Sequence, residues 1–127
     1  MKKSVSLIYK FIATIFFFLF GSTGAKAQSV TVEELKDILS TDSTAVLIDV
    51  RNKNEFVGNM KMLPKAKHIP LPVFADSLAS LNKFKERNIY IICRSGRRSM
   101  IATKQLIENG FNCYNVTGGM TAYRRKY

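Results

Sequence analysis

The stretch "NIYIICRSGRRS", residues 88–99, decides the fold. Ile89 to Ile92 is an apolar run without polar alternation, the pattern of a strand buried on both faces of a parallel sheet. Cys93 ends the run, and Arg94, Ser95, Gly96, Arg97, Arg98 and Ser99 follow at once. Beyond them Ser99, Ala102, Thr103, Leu106 and Ile107 recur at helical spacing, and Gly110 stands where a helix end needs a residue free to adopt positive φ. The chain therefore runs from a buried strand into a helix through a tight turn, which Gly96 permits at little steric cost.

Working outward, the same alternation of elements repeats. Upstream, Ala45–Val50 is a second continuous, β-branched run with no alternation, carrying Asp49 near its end and preceded by polar turn residues. Before it, Thr31 with Glu34 three positions on is a capping box opening a helix that carries Val32, Leu35, Ile38 and Leu39 on one face. Asn52 and Glu55 repeat that spacing and predict a short helix through "EFVGNM", residues 55–60. Prolines bracket a brief strand at Ala66–Ile69, since they cannot sit inside a sheet. The pattern of Val73–Phe84 predicts a helix with Phe74, Leu78 and Leu81 inward. Downstream, "FNCYNVTGG", residues 111–119, is a last strand ending in a Gly118-Gly119 turn, followed by a short basic helix. Strands alternating with helices predict an α/β domain, a small parallel β-sheet with helices on both faces.

The 127 residues, 46% hydrophobic and 23% charged, have the composition of an ordinary globular protein with room for one domain. Residues 1–27 read differently. Lys2 and Lys3 make a basic start, Phe11 to Phe20 an apolar stretch, and Ala25-Lys26-Ala27 a small-x-small site, the layout of a cleavable signal peptide. A membrane anchor needs roughly 20 apolar residues, and this run is shorter. The reading is residues 1–27 as signal peptide and 28–127 as the mature domain, exported to the periplasm or secreted, with no stable membrane span after cleavage. Lys2, Lys3, Lys10 and Lys26 leave with the signal, and removing these four from the net charge of +11 leaves +7. The remaining cations cluster at Arg94–Arg98 and Arg124–Lys126. No aromatic platform is interleaved with them, so the balance points to a small anion and not to nucleic acid.

Two cysteines in an exported chain raise the question of a disulfide. Cys93 ends one strand and Cys113 begins the next, so parallel neighbours hold them on the order of 10 Å apart at about 3.3 Å per residue. A bridge needs Cα atoms within about 7 Å. Cys113 then reads as a small buried hydrophobe, and Cys93 as a candidate nucleophile. A thiol attacks only as thiolate, and a helix N-terminus or neighbouring cations lower its pKa. The turn after Cys93 supplies unpaired backbone N–H groups, Ser95 and Ser99 add hydroxyl donors, and Arg94, Arg97 and Arg98 add charge. Together they form a cradle for an anion held at the cysteine sulfur. In open parallel sheets the ligand crevice lies beyond the carboxyl ends of the strands, where Asp49-Val50-Arg51 also falls. Asp49 reads as an acceptor that holds the loop and Arg51 as a partner of Glu55, with a direct role lining the crevice as the alternative. Gly118-Gly119 reads as a turn beside the crevice, and His68, the only histidine, as structural or exposed.

"VLIDVRNKNEF", "PKAKHIPL", "IYIICRSGRRSMIATKQLIENGF" and "NVTGGMTAYRR" together resemble a single-domain rhodanese over nearly all of residues 28–127. The resemblance implies a sulfurtransferase that moves sulfane sulfur from a small anionic donor such as thiosulfate to a thiol, a protein thiol included, or to cyanide. By position it makes Cys93 the nucleophile and persulfide carrier, Arg94 to Ser99 the substrate-binding loop, and Asp49 and Arg51 supporting residues. Such a cycle through a covalent intermediate needs no metal or organic cofactor. One segment departs from the family pattern. Where the family runs from Gly-His through Pro-Gly-Ala, this chain has "GNMKMLPKA", residues 58–66, lacking the histidine and carrying Lys65 in place of a glycine. Related phosphatases place an arginine six positions after the cysteine; here the sixth is Ser99 and Arg98 is the fifth. A non-catalytic binding or sulfur-carrier module of the cell envelope is the reading from another class.

Overall fold

The apolar runs occupy the middle of the sheet. In the computed structural model, which describes residues 27–127, the strands are β1 (Gln28–Val30), β2 (Val46–Asp49), β3 (Lys67–His68), β4 (Ile89–Ile92) and β5 (Cys113–Val116). They form one sheet in the order β1-β5-β4-β2-β3, every neighbouring pair parallel. The helices are α1 (Val32–Thr41), α2 (Leu78–Leu81), α3 (Arg97–Glu108) and α4 (Gly119–Lys126). The signal-peptide reading falls on residues outside the described ones. Among the described residues no helix is long and apolar enough to cross a membrane.

β2 and β4 lack polar alternation because both of their faces are covered. One face sends Val46, Ile48, Ile89 and Ile91 into a core with Phe74, Leu81, Phe84, Ala102 and Leu106. The other sends Leu47, Tyr90 and Ile92 against Val32, Leu35, Val116 and Met120. The period-two alternation of strand side chains thus feeds two cores, each roofed by its own helices. The capping box forms as its spacing predicts: Glu34 N–H donates to Thr31 Oγ1 at 3.2 Å, and Thr31 N–H donates to the Glu34 carboxylate at 2.7 Å. Gly110 closes α3 at φ 81°.

Two predicted helices come out differently. Residues 55–60 do not make one; the segment forms two 3-10 turns, Lys53–Glu55 and Gly58–Met60, with Val57 extended between them. Gly58 takes φ 55°, which an α-helix cannot contain, and Phe56 turns away to pack on the Arg51 guanidinium and the His68 ring. The predicted helix at Val73–Phe84 is real only at Leu78–Leu81, flanked by 3-10 turns at Leu71–Val73, Ala75–Ser77 and Asn82–Phe84. Ser77 and Ser80 hydroxyls donate to the Val73 and Ser77 carbonyls, and such local bonds compete with regular helix. Of the predicted inward positions, Phe74 and Leu81 are buried and Leu78 is half-buried against the same core, and Phe84 is buried as well.

The register pairs Ile89 with Cys113, so Cys93, four residues further along, sits at the opposite edge of the sheet. Both thiols are free and buried. Among the described residues Phe74 is the largest apolar side chain with no exposed surface, and Phe74→Ala is expected to lower unfolding free energy by about 3–5 kcal/mol in urea denaturation, the usual cost of emptying a filled core site.

Candidate active site

Cys93 leaves the end of β4 with its carbonyl already committed. Met120 N–H donates to Cys93 O at 2.8 Å, and Thr121 N–H donates to Arg94 O at 3.0 Å. These donors belong to the first turn of α4, where helix N–H groups have no partner inside the helix. A trans peptide points its carbonyl and the next N–H in opposite directions. Turning the Cys93 and Arg94 carbonyls toward α4 therefore turns the Arg94 and Ser95 N–H groups away from it. The contact is close enough to require glycine: a Cβ on Gly119 would lie 2.4 Å from Cys93 O and 2.6 Å from Arg94 O.

Gly96 then reverses the chain at φ 98° and opens α3. Its N–H donates to Cys93 Sγ at 3.0 Å. One turn into α3, the buried Ser99 hydroxyl donates to the same sulfur at 3.2 Å. Burial alone raises the Cys93 thiol pKa, but the Ser99 hydroxyl and the N–H groups of Ser99, Gly96 and Ser95 together outweigh it, and the net direction is below the ordinary thiol value. Cys113 shows the opposite balance. Burial dominates, and its thiol is pushed up to about 12.

The arginines divide. Arg94 and Arg97 are exposed. Arg98 is held by Glu55, with both guanidinium Nη atoms at 2.6 Å from the two carboxylate oxygens. The Arg98 guanidinium lowers the Glu55 pKa to about 2. Arg98 is thus not a free anion ligand; it ties the start of α3 to the segment after β2. The predicted Arg51–Glu55 pair is replaced accordingly. Arg51, fully buried, turns back on Asp49, with Nε at 3.0 Å from Oδ1 and Nη2 at 2.7 Å from Oδ2. Its Nη1 donates to Met60 O at 2.9 Å. The Asp49 carboxylate also accepts the Arg51 N–H, so it braces residues 51–60 and not the Cys93 loop as the sequence reading had it. His68 is structural, its Nε2 2.7 Å from Arg51 O.

A cavity of ≈ 180 Å³ lies beside this arrangement, bounded by Arg51, Asn54, Glu55, Val57, Met60 and Arg94. Of the loop residues Cys93 to Ser99, Gly96 and Ser99 meet the Cys93 sulfur, whereas Arg94 and Arg97 face solvent and Arg98 turns to Glu55. Glu55 and Met60 were not among the predicted site residues. The Asn52-to-Glu55 spacing marked Glu55 as a cap, which it is, and nothing local revealed its second partner 43 residues away. Lys65 adopts the left-handed backbone at φ 63° in the segment that departs from the family pattern, so lysine keeps there the turn that glycine makes easily.

Residues 31–126 match the family model of the rhodanese-like domain. YtwF of Bacillus subtilis (strain 168), provisionally named a sulfurtransferase, is 38% identical over 96 residues, which cover 76% of this chain and 89% of that protein. The crystal structure of a rhodanese-like domain protein from Staphylococcus aureus shares 38% identity at a TM-score of 0.68, covering 76% of this chain and 90% of that one. The human single-domain sulfurtransferase TSTD1, 23% identical with a TM-score of 0.66, shares the fold over 80% of this chain and 99% of its own.

The two thiols should separate cleanly in iodoacetamide alkylation of the folded protein followed across pH. Cys93 is expected to react with a midpoint below the ordinary thiol value, and Cys113 to stay unmodified until the protein unfolds. Ser99→Ala should move the Cys93 midpoint up and slow its alkylation at pH 7 about tenfold, the worth of one hydrogen bond of about 1.5 kcal/mol to a charged group.

Proposed function

The chain belongs to the rhodanese-like family, and on that premise we propose that it is a sulfurtransferase working through a persulfide on Cys93, with thiosulfate as a donor and a thiol or cyanide as acceptor. The observation that carries this reading is the pair of donors on one sulfur, Gly96 N–H and Ser99 hydroxyl. Two donors on a buried sulfur favour its anion over its thiol.

In the first half of the cycle the Cys93 thiolate attacks the outer sulfur of thiosulfate. A Cys93–sulfur bond forms, the S–S bond of thiosulfate breaks, and sulfite departs with the bonding pair. The terminal sulfur of the resulting persulfide is anionic, and the N–H groups left free by the turn are the fixed dipoles suited to hold it, with no reorganisation needed as charge moves outward by one atom. In the second half an acceptor thiolate attacks that terminal sulfur, becomes a persulfide itself, and returns Cys93 to thiolate. Cyanide reacting in the same way gives thiocyanate. Arg94, exposed and bordering the cavity, is a free cation beside the loop for an incoming dianion. Phosphate chemistry lacks its ligand here, since Arg98 is one position early and engaged by Glu55.

The same reading makes the protein an exported one, periplasmic or secreted, on the layout of residues 1–27; N-terminal sequencing of the secreted product is expected to begin at Gln28, and retention of Met1 would refute export by cleavage. For the chemistry, mass spectrometry after incubation with thiosulfate should show one added sulfur on Cys93. Cys93→Ser should abolish transfer and Cys113→Ser should leave most of it. No adduct together with no turnover would sink the enzymatic reading in favour of a non-catalytic binding module.

A further inference from the structure

The charges on the two edges of the sheet are not alike. At the edge that carries Cys93, three acids are already spent on cations: Asp49 on Arg51, Glu55 on Arg98, and Glu33 on Lys126. Two acids at this edge have no cation partner among the described residues: Glu34, whose carboxylate accepts Thr31 N–H at the start of α1, and Asp76, beyond the edge strand β3. The cations Lys53, Lys61, Arg94, Arg97 and Arg125 stand exposed on the elements that follow β2, β4 and β5, and none is ion-paired among the described residues. Asp42, Glu86 and Glu108 belong to the opposite edge: Asp42 caps the C-terminus of α1, Glu86 precedes β4 and Glu108 ends α3. The rim around the reactive sulfur is therefore positive, and wider than one small dianion engages.

The rim also has a concavity. A groove of ≈ 490 Å³ runs between the starts of α1 and α4, walled by Thr31, Glu33, Thr117, Gly118, Arg125 and Lys126. Gly118 adjoins the Cys93 loop directly: a Cβ on Gly96 would be 3.2 Å from Gly118 N. Cys93 itself is 1% exposed, so a flat surface cannot bring a thiol to it, whereas a thiol on a projecting loop can.

We propose that the sulfur acceptor is a protein that presents its thiol on a projecting acidic loop, which lies in this groove and across the Lys61, Arg94 and Arg125 rim. This rests on the sulfur-transfer reading above. A lipid surface shares the negative charge but has no thiol to receive sulfur. The transfer step is the second half of the cycle, with the acceptor's thiolate attacking the terminal sulfur and Cys93 leaving as thiolate. The rim supplies attraction before contact, which raises association rates by about 10–1,000-fold and fades with ionic strength.

The test has two arms. For docking alone, the backbone amide spectrum of the protein is titrated with the peptide Glu-Glu-Ser-Glu-Glu and with its Gln and Lys counterparts. Shifts around Gly118 and Arg125 for the acidic peptide alone are expected, lost at about 0.5 M salt where the Debye length is only a few ångströms, with binding weakened about tenfold in Lys61→Glu/Arg125→Glu. Equal response to all three peptides, no response, or rim shifts with vesicles of anionic lipid but not with the peptide would overturn the proposal. For transfer, the persulfide-loaded protein is mixed with Glu-Glu-Cys-Glu-Glu, its Lys counterpart, or 2-mercaptoethanol. The acidic peptide should react about tenfold faster than the basic one at low salt, and the double variant should reverse that order without changing the rate with 2-mercaptoethanol. Equal peptide rates would count against the proposal. Selective binding in a protein that never loads sulfur would still support the acidic partner while refuting the proposed chemistry.

Discussion

Two hydrogen bonds govern the site without touching the sulfur. Met120 and Thr121, in the first turn of α4, take the carbonyls of Cys93 and Arg94. A helix start has N–H groups to spare, and a loop that must aim its own N–H groups at an anion has carbonyls to place. Each need meets the other's surplus. Gly119 makes the approach possible, since any side chain there would overlap the loop backbone. The Cys93 loop is thus shaped by an element whose contacting residues lie 27 positions later, and not by the arginines that crowd its sequence.

The buried and half-buried ion pairs have a related task. Asp49 and Arg51 carry opposite charges and are both fully buried, and each side-chain nitrogen of Arg51 is given an acceptor: Asp49 takes Nε and Nη2, and Met60 O takes Nη1. Such a pair contributes little net stability relative to apolar residues of the same size, but losing one partner leaves the other stranded. Its value is geometric, since it pins residues 51–60 over the strand ends. Glu55 then reaches from that segment to Arg98 at the start of α3. The roof of the cavity and the base of the reactive loop are therefore braced against each other. Two of the cations that look available for substrate in the sequence are consumed in this bracing, leaving Arg94 and Arg97 to face solvent.

What could be read in advance follows from how local its cause is. The buried strands were legible because covering both faces of a sheet removes polar alternation over four consecutive residues, as in Ile89–Ile92. The α1 capping box and the Gly96 turn were legible because their partners lie within three residues. The opposite placement of Cys93 and Cys113 followed from parallel pairing alone. The predicted helix at 55–60 failed because Gly58 and the packing of Phe56 on Arg51 and His68 override a correct capping signal. Val73–Phe84 kept its inward residues but not its hydrogen-bond pattern, since 3-10 turns and α-helix bury nearly the same positions over so short a span. The Arg98 partner could not be assigned because it lies across a gap of 43 residues; Arg51 was given Glu55, at helical spacing, although its partner Asp49 is only two residues away.

The central claim is that a sulfur anion on Cys93 is held by N–H groups of the loop whose Cys93 and Arg94 carbonyls α4 fixes. The most direct measurement is the 15N-resolved amide spectrum of the protein before and after thiosulfate. The account predicts that the amide signals of Ser95, Gly96 and Ser99 move as the terminal sulfur is deposited, while those of Met120 and Thr121, still bound to their carbonyls, hardly change. Sulfur loaded onto Cys93 with the loop amides unmoved, or with Met120 and Thr121 released, would contradict it.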